Sequence, residues 1–444
     1  MQLIFYKKNY MNTIEQLKEK MGNLQQDNAS GSLQALRHEA FSEFEKKGIP
    51  TTRNEEWKYT RIGGVMNKDY NFSLNSVSIS AEELNAFRLP GFENANELVF
   101  VNGFYSDSLS KIISEGLVVL PLETAANNEY ENIVTQYLGH SRKYLQDGIN
   151  AMNTAVLQGG VFVFCKKSMD TEHPVYIYNI MDARSANVFS QPRSLVYLSQ
   201  HARLQIVETY ITIGQSESFT NQVMEVVTMQ DAQLEYYKIQ NDSAQTNAVS
   251  TTHIIQAERG YAHAVTISLD GGIVRNNLNF IMSADNGESH MYGLYFQHGN
   301  SHIDNHTIVD NIRPNCLSNQ LYKGIMTGNS TGVFNGKIYV QQAAQKTNAY
   351  QSNKNILMSD TATINAKPQL EIFADDVKCS HGCTVGRLDE EGLFYLQSRG
   401  IPESKARALL IHAFAMDILE HIRPEPIRKY VDELISKRLD TDLI

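Results

Sequence analysis

The sequence predicts a mainly β protein, with a parallel β-helix core between helical regions at the two ends of the chain. From about residue 155 the chain consists of short segments rich in Val, Ile, Tyr and Thr. Small residues recur in this part at a nearly constant spacing, which is typical of a solenoid. Apolar residues at helical spacing occur on either side of it.

The N-terminal region, residues 1–150, is predicted to be helical with some mixed structure. Two sets of residues lie on one face of a helix: Ile14, Leu17, Met21 and Leu24, and then Leu33, Leu36, Ala40, Phe41 and Phe44. Gly48–Ile49–Pro50 is a stop signal for the second helix. Further on, Leu98–Val101 is predicted to form a strand that enters a turn at Asn102–Gly103.

Residues 151–385 are predicted to form the β-helix core. Predicted strands include Val161–Phe164, Val175–Tyr178, Leu195–Leu198 and Leu204–Ile213. Val265, Ile267 and Leu269 alternate with Ala264, Thr266 and Ser268. A period of two predicts a strand that is buried on one face and exposed on the other.

A repeat supports the solenoid. Ala202, Ala232, Gly260 and Gly287 each follow a polar turn residue and are separated by 30, 28 and 27 positions. Units of this length bury their apolar faces by stacking on one another. A sandwich with long hairpins is the competing interpretation, and we favour the β-helix.

Residues 386–444 are predicted to be helical again. Pro402 and Glu403 favour a helix start, and Pro424 and Pro426 interrupt the pattern further on. The apolar stripe between them consists of Ala406, Leu409, Leu410, Ala413, Phe414 and Ile418. Such a stripe packs against the core, but helices that cap a solenoid also present surfaces to partners.

Composition excludes several classes of function. The chain has 444 residues, a formal net charge of −10 and no large basic cluster, which argues against nucleic-acid binding. Its four cysteines do not form a disulfide framework. We find no signal peptide and no run of 18 apolar residues, so we expect a soluble, cytoplasmic protein without a membrane anchor. Met1 and Met11 both remain candidates for the start of translation.

The densest group of reactive residues is Cys379, His381 and Cys383. On a strand these side chains point to one side, where they could hold a soft or borderline metal. Lys378 and the histidine could also lower the pKa of a thiol. A fourth ligand is not visible nearby, and Cys316 qualifies only if the fold brings it close. The alternative is a buried Cys379 beside an exposed His381, with no metal.

Three other motifs carry weaker signals. Asp375 and Asp376 resemble a glycosidase pair, but neighbours on a strand point to opposite faces. Gly328–Gly332 matches a nucleophile elbow but lacks the helix that must follow it, so we expect a solenoid turn. Metal binding is conceivable for four histidines that we interpret as turn residues: His290, His298, His302 and His306.

Two stretches carry a resemblance to a known family. Residues 53–60, with the single tryptophan Trp57, are similar to the N-terminal signature of SufD proteins. Residues 368–401, which contain Cys379, His381 and Cys383, resemble the block specific to the paired SufB and SufD family of the SUF iron–sulfur cluster assembly system. One departure is Cys383, where many SufD sequences have alanine.

The resemblance implies a right-handed parallel β-helix and a scaffold without catalytic activity of its own. It implies pairing with a SufB-like paralogue, docking of a SufC-like ABC ATPase on the C-terminal helices, and a homodimer when the chain is isolated. The histidine matching His381 would lie at the SufB–SufD interface. There, transient iron or an iron–sulfur cluster would be the cargo and not an intrinsic cofactor. Residues 402–422 would contact the ATPase.

Two other functions stay open on sequence grounds. One is a secreted-type β-helix enzyme that acts on polysaccharides, and the other is an independent metal-binding protein that uses Cys379, His381 and Cys383. The absence of a phosphate-loop motif, a redox-cofactor fingerprint and a plausible catalytic triad favours the scaffold over both.

Overall fold

The core of the protein is a parallel β-solenoid of about eight turns. The computed structural model describes residue 19 and residues 31–71, 79–170 and 172–442. Each turn contributes one strand to each of two sheets, and almost all neighbouring strands pair in parallel. The β-helix predicted from the sequence is therefore confirmed, and the sandwich is not observed.

The bounds of the elements are as follows. The first sheet contains β1 (Asn96–Val101), β2 (Phe104–Tyr105), β5 (Val175–Ala183), β8 (Arg203–Gly214), β10 (Gln233–Asn241), β12 (Tyr261–Asp270), β14 (Glu288–Gln297), β16 (Leu317–Met326), β18 (Asn348–Leu357) and β20 (Lys378–Gly386). The second contains β3 (Leu117–Pro121), β4 (Val161–Cys165), β6 (Val188–Ser190), β7 (Arg193–Leu198), β9 (Ser218–Thr228), β11 (Thr246–Gln256), β13 (Ile273–Met282), β15 (His302–Asn311), β17 (Thr331–Val340) and β19 (Thr363–Ile372). The helices of the described chain are α1 (Gly31–Lys47), α2 (Gly63–Met66), α3 (Ala81–Asn85), α4 (Leu122–Ala125), α5 (Glu131–Tyr137), α6 (Gly148–Ala155), α7 (Glu390–Ser398), α8 (Glu403–Leu419) and α9 (Glu425–Asp442).

The N-terminal predictions are confirmed where the structure describes the chain. The stripe that begins at Leu33 forms α1, which buries Leu33, Ala40 and Phe44 and ends before Gly48. The stripe from Ile14 to Leu24 lies outside the described residues. The strand predicted at Leu98–Val101 is β1, and its turn places Asn102 and Gly103 at positive φ. Strands β1 to β3 of this region join the two sheets of the solenoid.

The repeat marks a column of turns along one side of the solenoid. The residue before each small residue, from His201 to Asn286, has a φ of 53° to 61°. The same conformation recurs at Asn315 and Lys346, two turns that the sequence repeat did not include. Left-handed backbone at these non-glycine residues turns the chain from one sheet into the next. Gly328 to Gly332 also forms a turn and the start of β17, as predicted.

The prediction that the strand around Val265, Ile267 and Leu269 is buried on only one face is wrong. Both faces of β12 are buried. These three side chains point out of the solenoid, where they join an apolar cluster with residues of α8 and α9 such as Ile418 and Ile435. The alternating residues, with Ala264 among them, line the solenoid interior. The C-terminal helices therefore cover the outer face of the first sheet.

The N-terminal region covers the outer face of the second sheet through contacts that are more polar than those of the C-terminal helices on the first sheet. The guanidinium of Arg275 on β13 lies 3.9 Å from the ring centroid of Trp57. It also donates a hydrogen bond of 2.6 Å to the carbonyl oxygen of Glu56. Deeper in this contact, Arg193 and Glu225 form a fully buried ion pair. The middle turns are thus enclosed on both sides by the two ends of the chain.

Candidate functional site

Cys379, His381 and Cys383 lie on β20, the last strand of the first sheet. β20 pairs with β18 in parallel, and Gln351 is the partner of His381 in that register. Because the three residues are two positions apart on one strand, their side chains share a face. The predicted arrangement on one side of a strand is confirmed.

This shared face points toward the interior of the solenoid at its C-terminal end. Cys379 packs against the interior apolar core, and its partner in the register, Ala349, is fully buried. His381 and Cys383 are exposed, because within the described chain no further turn stacks on β20. β19 likewise ends the second sheet. The site is therefore the open mouth of the solenoid.

The thiols are not activated in the way that the neighbouring cation suggested. Partial burial raises the pKa of both Cys379 and Cys383 above its usual value. The prediction that Lys378 and His381 lower a thiol pKa is therefore wrong, because burial sets the direction of the shift at both cysteines. At neutral pH both groups are thiols, and a metal or a sulfur donor would have to displace a proton.

The three donors do not converge on a point within this chain. Among the described residues, no group of three His, Cys, Asp or Glu side chains could hold a metal ion. Cys316 does not complete the set: it lies just before β16, one strand beyond β18, and its thiol donates to the carbonyl of Arg313 at 3.3 Å.

Amide side chains of β18 lie directly below the site, and the sequence analysis missed them. Asn353 is the partner of Cys383 in the strand register, and its Oδ1 accepts a hydrogen bond from the Cys383 thiol at 3.6 Å. Gln351 is the corresponding partner of His381. Both amides are buried. The spacing of one solenoid turn, applied backward from the motif, would have pointed to them.

The C-terminal stripe is divided between the protein interior and its surface. Ala406 and Ile418 of α8 are fully buried, and Leu410 and Phe414 are partly buried. The ring of Phe414 lies 4.2 Å from Lys323 Nζ, which also donates to the Phe414 carbonyl oxygen. Leu409 and Ala413 are exposed. Only part of the predicted docking stripe is accessible.

Large apolar side chains are exposed close to the open end in sequence and in fold. Phe394 and Tyr395 of α7 are 73% and 56% exposed, and Leu409 of α8 is 52% exposed. Phe373 after β19 and Val385 on β20 are exposed as well. Exposed apolar side chains that cluster are typical of interaction surfaces.

The other motifs have structural roles here. Asp375 and Asp376 lie in the turn between β19 and β20. Of the four histidines interpreted as turn residues, His290, His302 and His306 lie on strands, so that interpretation is wrong for them. A hydrogen bond from His306, with the help of Lys337, lowers the pKa of Glu56 to about 2 against the opposing effect of burial.

The tryptophan motif anchors the N-terminal region to the second sheet. Trp57 is buried and its indole N–H donates to Asp147 at 3.2 Å. His302 contacts the Thr60 hydroxyl at 2.9 Å. A cavity of about 620 Å³ lies along this contact, lined by Trp57, Arg275, Lys337 and other residues. In this part of the molecule the motif serves packing.

No helix in the described part of the chain is both long enough and apolar enough to cross a membrane.

Comparison with known proteins matches most of the chain to one family. Residues 180–414 match the SufBD core domain of SUF system FeS cluster assembly, and residues 6–177 match the SufBD protein N-terminal region. A SufBD family iron–sulfur cluster assembly protein of Synechocystis is 30% identical over 403 residues, covering 88% of this chain and 87% of its own. The iron–sulfur cluster assembly protein SufD of Escherichia coli is 28% identical over 92% of this chain and 93% of its own. SufD of Bacillus subtilis is 24% identical over 92% and 94%. The chain belongs to the SufBD family of iron–sulfur cluster assembly proteins.

Proposed function

We propose that this chain is a SufD-type, non-catalytic subunit of a SUF assembly complex, and that its open solenoid end is where it pairs with a SufB-like paralogue. The observation that carries the proposal is the last turn. β19 and β20 end the two sheets, so each leaves one edge without a strand partner in the described chain. Unpaired strand edges with exposed apolar side chains are templates for pairing with another chain.

The placement of His381 supports a role in building the cluster. Its ring lies at the edge that the partner would cover, with a thiol on either side along the strand. No group of three His, Cys, Asp or Glu side chains in the described chain could hold iron alone, but ligands from a paralogue facing this strand could complete a site. Iron and sulfur would be cargo at this seam, and Cys383 would add a thiol to it.

Without its paralogue, the same edge would pair with a second copy of the chain, so we expect the isolated protein to be a homodimer. The backbone groups of a strand edge can pair with a strand of either a paralogue or a second copy, and only the flanking side chains distinguish the two. The predicted cytoplasmic location belongs to this proposal too, because free thiols at a working seam need a reducing compartment.

The exposed apolar residues of α7 and α8 fit the docking of a SufC-like ATPase. Phe394, Tyr395 and Leu409 are the accessible members of this surface, while Ile418 is committed to the protein's own core. Leu409→Asp should abolish capture of the ATPase without unfolding the solenoid. Ile112→Asp is the matched control, because Ile112 is an exposed apolar residue of the N-terminal region. Normal capture by Leu409→Asp would remove α8 from the docking surface.

The central experiment is co-purification of this chain with SufB and SufC from its own cell, followed by cluster reconstitution. We expect wild-type chain to bring down both partners. His381→Ala should assemble the same complex and fail to build a cluster, which would show that His381 acts at the seam and not in assembly. If the wild-type chain brings down neither partner, the scaffold proposal fails. Stoichiometric metal on the isolated chain would then favour the independent metal-binding protein.

A further inference from the structure

Below His381, the interior of the solenoid holds a column of polar side chains with one direction. The in-register strands β14, β16 and β18 place Met291, Gln320 and Gln351 one above another, with His381 of β20 at the top. Gln320 Nε2 donates to Met291 Sδ at 2.9 Å. Gln351 Nε2 donates to Gln320 Oε1 at 2.5 Å. Each amide therefore donates its N–H group to the preceding turn, away from β20.

This direction leaves an acceptor without a partner at the top of the column. Gln351 is 3% exposed, and its Oε1 is a buried atom with no hydrogen bond. An unsatisfied buried carbonyl is destabilising, so it calls for an explanation. The next residue above it on the same face is His381. Strands lie about 4.8 Å apart, so a ring above an amide in register can reach it.

Two neighbours support this assignment. One position along the same face, the Cys383 thiol already donates to the amide oxygen of Asn353, its own partner in the register. Across the interior, Gly336 of β17 leaves room for the Gln351 amide, since a Cβ at that position would overlap Gln351 Nε2. The amide of Gln351 is thus held in place through its Nε2, which leaves Oε1 as the end of the amide without a partner.

We propose that Gln351 is the positioning residue for His381: its Oε1 accepts a hydrogen bond from one ring N–H, which fixes the tautomer and turns the other ring nitrogen outward to the seam. Metal-binding histidines in proteins are usually oriented in this way by a second acceptor. The inference rests on the proposed role of His381, and it adds the residue that keeps the imidazole ready to accept a metal or a proton.

The hydrogen bond is tested first on the full chain, independently of activity. With ¹⁵N-labelled histidine, His381 is identified as the ring signal that His381→Ala removes. We expect wild type to show one tautomer and a slowly exchanging ring N–H. Gln351→Leu should lose that N–H signal, and Gln351→Glu, which keeps an acceptor, should retain it.

The matched control is Gln369→Leu on β19, because Gln369 also has an unpartnered buried oxygen but lies in the other sheet. It should leave the His381 signal unchanged. Absence of the protected N–H in wild type, or its persistence in Gln351→Leu, overturns the inference.

Cluster reconstitution with SufB and SufC separates this inference from the proposed function. Gln351→Leu should assemble the complex and build clusters about tenfold more slowly. If His381→Ala is inactive but Gln351→Leu builds clusters normally, the positioning role is wrong and the proposed function stands. If His381→Ala builds clusters normally, the proposed function fails, while the ring N–H signal still decides whether the hydrogen bond exists.

Discussion

The middle and the last turn of the solenoid have the same backbone and opposite surroundings. On β12, eight of the ten residues are buried, because the interior lies on one side and α8 and α9 lie on the other. On β20, every residue except the half-buried Cys379 is exposed, although the strand pairs in the same parallel register. What differs is the cover, since no element of the described chain closes the last turn.

This difference indicates how the fold separates stability from function. Stability comes from the enclosed turns, where burial on both faces removes apolar surface from water. The last turn contributes little burial of its own and is free to be covered by a partner. Polar and reactive residues that would be unfavourable in a buried core, such as an exposed histidine and two thiols, can therefore lie there without an energetic cost to the fold.

The sharpest test of this contrast places the same new charge in both turns. Ile267→Asp on β12 buries a carboxylate against the apolar side chains of α8 and α9, and we expect it to lower the free energy of unfolding by about 4 kcal/mol or more. Val385→Asp on β20 introduces the charge at a residue that is 48% exposed, and we expect a change within about 0.5 kcal/mol.

Urea unfolding of the isolated chain gives both values from the midpoint and slope. Binding of the SufB-like paralogue should respond differently from stability. Val385→Asp should fold normally but no longer bind the paralogue, because the charge lies at the seam. A large loss of stability in Val385→Asp would show that the last turn is part of the core.

Protonation of a buried histidine tests whether the C-terminal helices cover the middle turns, and we expect a smaller change in stability than from Ile267→Asp. His263 on β12 lies under the C-terminal helices, and its Nε2 is 2.8 Å from the carbonyl oxygen of His421. Burial lowers the pKa of His263 to about 4. The unfolded chain binds this proton near pH 6.5, so it takes up protons before the folded chain does.

Stability should therefore fall as the pH is lowered from 6.5 to 4, by up to about 3 kcal/mol from this residue. Nearby Glu235, His290 and Arg423 also act on the ring, so the measurement must isolate His263. Urea midpoints of wild type and His263→Asn across this range give the comparison. His263→Asn should flatten the dependence, and an unchanged slope in that variant would contradict the assignment.

The sequence predicted the middle turns better than their surroundings. Strands, the turn spacing and the shared face of Cys379, His381 and Cys383 follow from local periodicity, which one segment carries by itself. The prediction that β12 has one exposed face was wrong for the opposite reason, because burial of the second face depends on distant segments. A period of two separates two faces, but it does not say that helices more than 130 residues later will cover the outer one.

The helical stripe of α8 shows the same limit. Ala406, Leu409, Leu410 and Ile418 share an apolar character, yet the structure buries the first and last and exposes Leu409. An apolar stripe on a helix is wide enough to face both a core and a partner. Which of its residues face the core depends on the angle at which the helix packs, and the sequence does not give that angle. The amides of Gln351 and Asn353 escaped notice because a site on a solenoid is assembled from successive turns.

The cysteines provide the last and mildest test of the contrast between enclosed and open turns. Cys165 and Cys316 are buried in the fold, while Cys379 is half-buried and Cys383 is exposed. Alkylation of the native chain by iodoacetamide, followed by mass spectrometry of each peptide, should therefore modify Cys383 first, Cys379 next, and the two others only after unfolding. Burial raises the pKa of both β20 thiols, so the two alkylation rates should still be rising with pH above 9, where that of an ordinary cysteine levels off.

A SufB-like partner at the seam should protect Cys379 and Cys383 together from alkylation and leave the other two cysteines unchanged. Protection of neither would mean that the partner covers some other part of the molecule.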